Sequence, residues 1–98
     1  MEREISNTFY SALGQTDLEY GIELYNKEIA ENDPKNFAAW NNRGVNKVYL
    51  GAKESNLEMV EDGINDIINA IALAKAEEKD YPLAEGNINW ANKVKSEM

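Results

Sequence analysis

Residues 36–51 read NFAAWNNRGVNKVYLG and carry the pattern that decides the fold. Trp40, Gly44 and Val48 recur every four positions, so they share one face of a predicted α-helix. A glycine inside a helix costs about 1 kcal/mol relative to alanine, so its place on this face needs a reason. A small residue lets the backbones of two crossing helices approach, while large residues one turn away fill the space beside them. The stretch therefore predicts two packed helices in contact at Gly44.

The rest of the chain also has apolar residues at helical spacing, and no stretch alternates as a strand does. The fold class is therefore predicted to be all-α, and the 98 residues are expected to form a single domain. We expect about five helices. They span roughly residues 2–13, 17–31, 35–50 and 56–78, with a last helix that begins near residue 80.

Polar and helix-breaking residues predict where these helices begin and end. Short polar side chains can accept the first free amides of a helix, whereas glycine and proline interrupt it. The expected boundaries are Thr16 or Asp17 and then Asp33-Pro34 for the second helix, Gly51 at the end of the third, a capping box of Ser55 and Glu58 before the fourth, and Pro82 in the first turn of the last.

The apolar stripes predict which side chains point inward. Each stripe follows the three- and four-residue spacing of an amphipathic helix. The expected inward residues are Leu18, Ile22, Tyr25 and Ile29 in the second helix, Leu57, Val60, Ile64, Ile67, Ile68, Ile71 and Ala74 in the fourth, and Leu83, Trp90 and Val94 in the last.

The chain contains an internal repeat. Residues 21–29 read GIELYNKEI and residues 63–71 read GINDIINAI, so a Gly-Ile pair followed by large residues at the same spacing occurs twice. Self-similarity of this kind is typical of arrays in which helix pairs stack on one another.

These residues resemble the tetratricopeptide repeat family, in which a helix A and a helix B form a unit of about 34 residues. The resemblance covers about residues 5 to 75. The two Gly-Ile pairs lie 42 positions apart, so the match includes an insertion between Gly51 and Gly63. Trp40, Gly44, Val48 and Gly51 match helix A of a second unit, Gly63, Ile64, Ile67, Ala70 and Ile71 its helix B, and Gly21, Ile22, Tyr25 and Ile29 helix B of a first unit.

The resemblance implies a short right-handed solenoid of antiparallel helix pairs, whose A helices line a concave groove that binds a peptide or helix of a partner protein. An unrelated five-helix bundle is the alternative fold, in which the same stripe is plain core. Asparagine amides and tyrosine rings in such a groove can bind an extended backbone. The implied groove residues are Ser6, Tyr10, Asn41, Asn42, Val45, Val48, Tyr49, Leu83 and Asn87.

The composition excludes several classes of function. The chain has no cysteine and no histidine, so thiol chemistry, imidazole catalysis and the usual zinc sites lack their ligands. A net charge of −8 disfavours nucleic acid and membrane surfaces as partners. We therefore expect a protein without cofactor, metal site or enzymatic activity, located in the cytoplasm.

An acidic run between residues 54 and 66 contains no lysine or arginine. Glu58, Asp62 and Asp66 lie four residues apart, so they are expected on one exposed helical face. This acidic face favours a basic protein partner, and it suggests a second function, in which a small acidic protein neutralises a basic toxin or nuclease. A third possibility is a structural oligomerisation domain, so the chain is expected to be a monomer or a weak homodimer.

Overall fold

The structure is a computed structural model that describes residues 15–98. The described residues form four helices and no strand, which confirms the all-α class for this part of the chain. The predicted first helix, residues 2–13, lies outside the described residues. The helices are α1, Gln15–Lys27, which continues as a π-helical turn, Glu28–Asn32; α2, Phe37–Lys53; α3, Leu57–Ala76; and α4, Pro82–Ser96.

None of these four helices is both long and apolar enough to cross a membrane.

The first described helix contacts α2 through the apolar stripe that the sequence predicts. Leu18 and Ile29 are buried, while Ile22 and Tyr25 are half-buried. Gly21 lies against the side chain of Asn46 on α2, because a Cβ atom at Gly21 would overlap the side-chain amide of Asn46. Gly21 is the first glycine of the internal repeat, and it marks a helix contact as predicted for such a residue.

The predicted cap of α1 is wrong. Thr16 and Asp17 lie inside the helix, which already includes Gln15. The predicted end of the helix is confirmed, because Asp33 has an extended backbone with φ −148° and ψ 99°. The residue before a proline is driven out of the helical region by contact with the proline ring, so Pro34 accounts for this end.

The close contact between α2 and α3 that Gly44 predicts is confirmed. A Cβ atom on Gly44 would lie 2.5 Å from the carbonyl oxygen of Gly63, and a Cβ on Gly63 would lie 2.5 Å from the carbonyl oxygen of Gly44. Both distances are far below van der Waals contact, so only glycine fits at either position. Three residues join the two helices, which therefore run antiparallel.

Gly51 does not end α2. The helix continues through it to Lys53, and a Cβ on Gly51 would lie 2.8 Å from Cγ2 of Val60 and 2.9 Å from the carbonyl oxygen of Asn56. The glycine is therefore required by the close approach of the next helix, because the first turn of α3 packs against the last turn of α2. The sequence gives no sign of this difference, since a glycine near a helix end suits both roles.

The predicted capping box is also wrong by one residue. Ser55 has a left-handed backbone with φ 53°, so it forms part of the turn. Asn56 is the N-cap of α3, and its Oδ1 accepts a hydrogen bond of 3.1 Å from the backbone N–H of Met59. Asparagine and serine are both good N-caps, so the position that the turn makes available decides between them.

The last helix, α4, lies against α3 and α2 and begins at Pro82, so this proline lies in the first turn as predicted. Its most buried residues are Ala84, Asn87 and Ala91, so small side chains form the contact. The predicted inward residues Leu83, Trp90 and Val94 are half-buried, and Trp90 and Val94 pack at the edge of the core. The turn before α4 contains Glu78 in a left-handed conformation, with φ 61°.

The hydrophobic core lies between α2, α3 and α4. The prediction that Leu57 and Ile68 of α3 point inward is wrong, because they are 46% and 49% exposed. Ile68 follows the buried Ile67, and one residue turns a helix by about 100°, which directs Ile68 to solvent. The central cluster contains Val45, Val48, Val60, Ile64, Ile67, Ala84 and Ala91.

We predict that Gly44→Ala destabilises the protein by about 1 to 3 kcal/mol, because the added methyl group forces α2 and α3 apart. Chemical denaturation followed by circular dichroism measures this change. Ala38→Leu is the control, since it adds a larger group to the exposed side of the same helix and should change the free energy of unfolding by less than about 0.5 kcal/mol. Equal effects of the two substitutions would contradict the glycine contact.

The segment between α1 and α2 is fixed by the Glu28 carboxylate. Its Oε1 accepts a 3.0 Å hydrogen bond from Asn32 Nδ2, and its Oε2 accepts a 3.0 Å hydrogen bond from Asn36 Nδ2. Asn36 is also the N-cap of α2, because its Oδ1 accepts from the backbone N–H of Ala39 at 3.2 Å. The hydrogen bonds from Asn32 and Asn36 hold the pKa of Glu28 below its usual 4.5.

A lowered pKa means that Glu28 stabilises the fold above its ordinary pKa and that this contribution disappears as the pH falls through the lower folded value. We therefore predict that Glu28→Gln lowers the melting temperature at pH 7, and that the difference from the parent protein shrinks below pH ~4. Glu31→Gln removes the same charge from an exposed side chain of the same turn and serves as the control. A difference that is equally large at pH 7 and pH 3 would contradict the role of the carboxylate.

Candidate functional site

Most of the predicted groove residues that the structure describes are buried. Asn41, Val45 and Asn87 are 1%, 5% and 5% exposed, and Val48 is fully buried. The reason is the position of α4, since Asn87 Nδ2 donates a 3.2 Å hydrogen bond to Asn41 Oδ1 across the contact with α2. The prediction that Asn41, Val45, Val48 and Asn87 line an open groove is therefore wrong, because all four are buried.

Three predicted groove residues stay partly accessible. Asn42 is half-buried, and its Oδ1 accepts a 3.3 Å hydrogen bond from Asn41 Nδ2. Tyr49 is half-buried as well, and its ring lies 4.6 Å from the ring of Trp90, centroid to centroid, at an angle of 37°. Leu83 is half-buried too, while Ser6 and Tyr10 lie outside the described residues.

Asp66 does not belong to an exposed acidic face. It is 5% exposed and accepts two hydrogen bonds from Arg43, from Nε to Oδ2 at 2.8 Å and from Nη2 to Oδ1 at 2.9 Å. Lys47 Nζ adds a second ion pair at 3.2 Å. The prediction for Asp66 is therefore wrong, because two cations on α2 bind this carboxylate directly beside the glycine contact. Glu58 and Asp62 are exposed as predicted.

Arg43 links three helices through this cluster. Besides Asp66 on α3, its Nη1 donates a 2.9 Å hydrogen bond to Asn26 Oδ1 on α1, and its guanidinium group lies 4.7 Å above the ring of Trp40. A planar guanidinium group suits such an arrangement because it combines paired donors with a flat face. A signal was present in the sequence: Arg43 precedes the predicted contact glycine, and Asp66 follows Gly63 by three residues, so both flank the crossing point.

We predict that Asp66→Asn destabilises the protein by about 3 kcal/mol, because Arg43 and Lys47 would remain largely buried without their counter-charge. Asp62→Asn is the matched control: it makes the same chemical change one turn away on an exposed residue and should cost less than about 0.5 kcal/mol. Urea denaturation of both variants measures the difference. A loss of under about 0.5 kcal/mol for Asp66→Asn would show that the ion pair does not stabilise the fold.

The exposed acids of α3 instead border a hollow between α3 and α4, which we call the acidic hollow. Among the described residues, Lys95 is the only cation that lines it, and Lys95 Nζ lies 3.0 Å from Glu61 Oε2. Both side chains of this pair are almost half exposed, so solvent weakens their attraction. The acidic hollow is lined by Glu58, Glu61, Asp62, Ile64 and Asn65 of α3 and by Asn92 and Lys95 of α4.

The side chains of the acidic hollow offer both acceptors and donors of hydrogen bonds. Carboxylates accept hydrogen bonds from ammonium and guanidinium groups, and the amides of Asn65 and Asn92 can both donate and accept. Within residues 15–98, no group of three acidic side chains converges closely enough to hold a metal ion. Glu58, Glu61 and Asp62 therefore border the hollow as three separate carboxylates.

The chain matches no protein-family model, and no similar protein is found among curated proteins or solved structures. The resemblance to the tetratricopeptide repeat family thus stays an interpretation of the sequence. Functional assignment depends on the geometry of the described residues.

Proposed function

We propose that the protein is an interaction domain that binds a basic segment of a partner protein in the acidic hollow. The observation that supports this proposal is the excess of negative charge at one concave place. Within residues 15–98, three exposed carboxylates, from Glu58, Glu61 and Asp62, border the hollow, and Lys95 is the one cation beside them. A partner with two or more lysine or arginine side chains would neutralise the excess.

A rigid scaffold favours such binding. Ile64 and Ala91, from the two helices that border the hollow, are both part of the core cluster, so α3 and α4 are held in place behind it. A receptor that is already ordered loses little conformational entropy when a partner binds. The overall charge of −8 would also attract a basic partner over a distance and speed its association.

The architecture that we propose is a short solenoid similar to the tetratricopeptide repeat, with α2 and α3 as one A and B pair. The Gly44–Gly63 contact supports it, because the family resemblance requires small residues at this crossing. In this arrangement α4 is the next A helix or a terminal cap. Neutralisation of a basic toxin or nuclease in the cytoplasm, by a monomer or a weak homodimer, is one form of the proposed function.

A second candidate is the surface around Asn42 and Tyr49. These two groove residues are half-buried, and Tyr49 forms a tilted aromatic pair with Trp90. An extended peptide could stack on this pair and bond to the Asn42 amide. Such binding depends on apolar contact, so it would change little between low and high salt, whereas binding in the acidic hollow would weaken strongly.

We predict that an acetylated octapeptide of alternating lysine and glycine shifts the NMR signals of residues around the acidic hollow. Raising the salt from about 50 mM to about 500 mM should weaken the binding at least tenfold, because the charges are exposed. The double variant Glu58→Gln and Asp62→Asn should weaken it by about tenfold, which corresponds to about 1.4 kcal/mol.

The matched control is the double variant Glu78→Gln and Glu85→Gln, which removes two exposed carboxylates away from the hollow. It should leave the affinity within about twofold. Equal losses in the two double variants would mean that only net charge matters and would contradict the site. Shifts confined to Asn42 and Tyr49 that persist in high salt would favour the second candidate.

A further inference from the structure

One face of α1 is apolar although it has no partner among residues 15–98. Tyr20 and Leu24 are 63% and 48% exposed, and Tyr20 is the most exposed large hydrophobic residue of the described chain. They lie four residues apart, so they form one stripe on the helix. The buried stripe of the same helix contains Leu18 and Ile29. The helix therefore has two apolar faces, of which the fold buries one.

Carboxylates border this apolar stripe. Glu19 and Glu23 each precede one of the two apolar residues, so they form a parallel acidic stripe beside it. Both are exposed, and neither has a cation within ion-pair distance among the described residues. The only basic residue of α1 is Lys27, in its last turn. An apolar stripe next to an acidic stripe is complementary to a helix that has basic residues beside its own apolar stripe.

From this complementarity we infer that the outer face of α1 is a second interaction surface, which binds a basic amphipathic helix of a partner protein. The ring of Tyr20 and the side chain of Leu24 contact the apolar stripe of that helix. The carboxylates of Glu19 and Glu23 bind its lysine or arginine side chains. This surface is separate from the acidic hollow, because α1 contacts α2 but neither α3 nor α4.

The charges on this face of α1 also favour a basic helix over a second copy of the chain or over residues 1–14. A second copy of the chain would bring the same two carboxylates against this face in a symmetric dimer, where like charges repel. Residues 1–14 include the acids Glu2 and Glu4 and the single base Arg3, so they offer little positive charge. A basic helix is the occupant that satisfies both the apolar and the charged half of the surface.

The test uses the full chain and a synthetic leucine–lysine peptide of about four helical turns, with its leucines at helical spacing. NMR titration should show the largest shifts at α1, around Tyr20 and Leu24. Leu24→Ser should weaken the binding about tenfold, because an apolar anchor is lost. Ile68→Ser is the matched control, since Ile68 is equally exposed at 49% on α3, and it should leave the affinity within about twofold.

Variants of the two carboxylates test the acidic stripe of the surface. The double variant Glu19→Gln and Glu23→Gln should lower the affinity for the peptide about tenfold. The double variant Glu78→Gln and Glu85→Gln removes the same charge elsewhere and should change the affinity less than twofold. The hollow variant Glu58→Gln with Asp62→Asn should leave the affinity measured from the NMR signals of α1 unchanged, because lysines bound in the acidic hollow are reported by the signals of α3 instead. Loss in the hollow variant but not in the α1 variants would overturn the inference while it supports the proposed function.

Three further outcomes would overturn the inference. Nuclear Overhauser contacts from Tyr20 or Leu24 to side chains of residues 1–14 in the free protein would show that the chain's own first residues cover the face. A concentration-dependent dimer in sedimentation equilibrium that Leu24→Ser abolishes would show that a second copy covers it. Equal effects of Leu24→Ser and Ile68→Ser on peptide binding would show that the peptide binds without a defined surface.

Discussion

The contact between the backbones of Gly44 and Gly63 is the constraint on which the rest of the structure depends. A Cβ atom on either glycine would lie only 2.5 Å from the carbonyl oxygen of the other glycine. The crossing point of α2 and α3 is therefore fixed at one residue of each helix. Arg43 and Asp66 then come within hydrogen-bonding distance beside it. A shift of one helix by a single turn, about 5.4 Å, would separate both pairs at once.

The buried ion pairs next to this crossing stabilise the fold only in the observed arrangement of the helices. Removing two charges from water is costly, and their attraction repays that cost only with good geometry. The paired hydrogen bonds between Arg43 and Asp66 provide such geometry, and the bond from Arg43 to Asn26 extends it to α1. A wrong register would leave charges buried without partners, so the cluster selects against alternative packings of the same apolar faces.

The sequence predicts the helical class, the stripe of α1 and the glycine crossing, because periodic apolar residues indicate a helix and an interior glycine on an apolar face indicates a close helix contact. The sequence does not predict which polar residues are buried when their spacing places them on an exposed face. Asp66 belongs by spacing to an acidic face, and Asn41 and Asn87 to a groove, yet each is covered by a helix distant in sequence. Their burial depends on how α4 and α2 are placed, which local periodicity does not contain. The acidic hollow joins side chains of α3 and α4 and depends on the same placement.

The two turns that flank α3 carry Ser55 and Glu78 in left-handed backbone conformations, whereas every described glycine lies within a helix. A residue with a Cβ in this conformation costs about 1 kcal/mol, so each turn is held in place by the helices on either side. Local opening should therefore begin at these turns, well away from the helix crossing. Within residues 15–98, a protease would cleave the native protein first at these turns, and the fragments from cleavage near Ser55 would stay associated through the contact between α2 and α3.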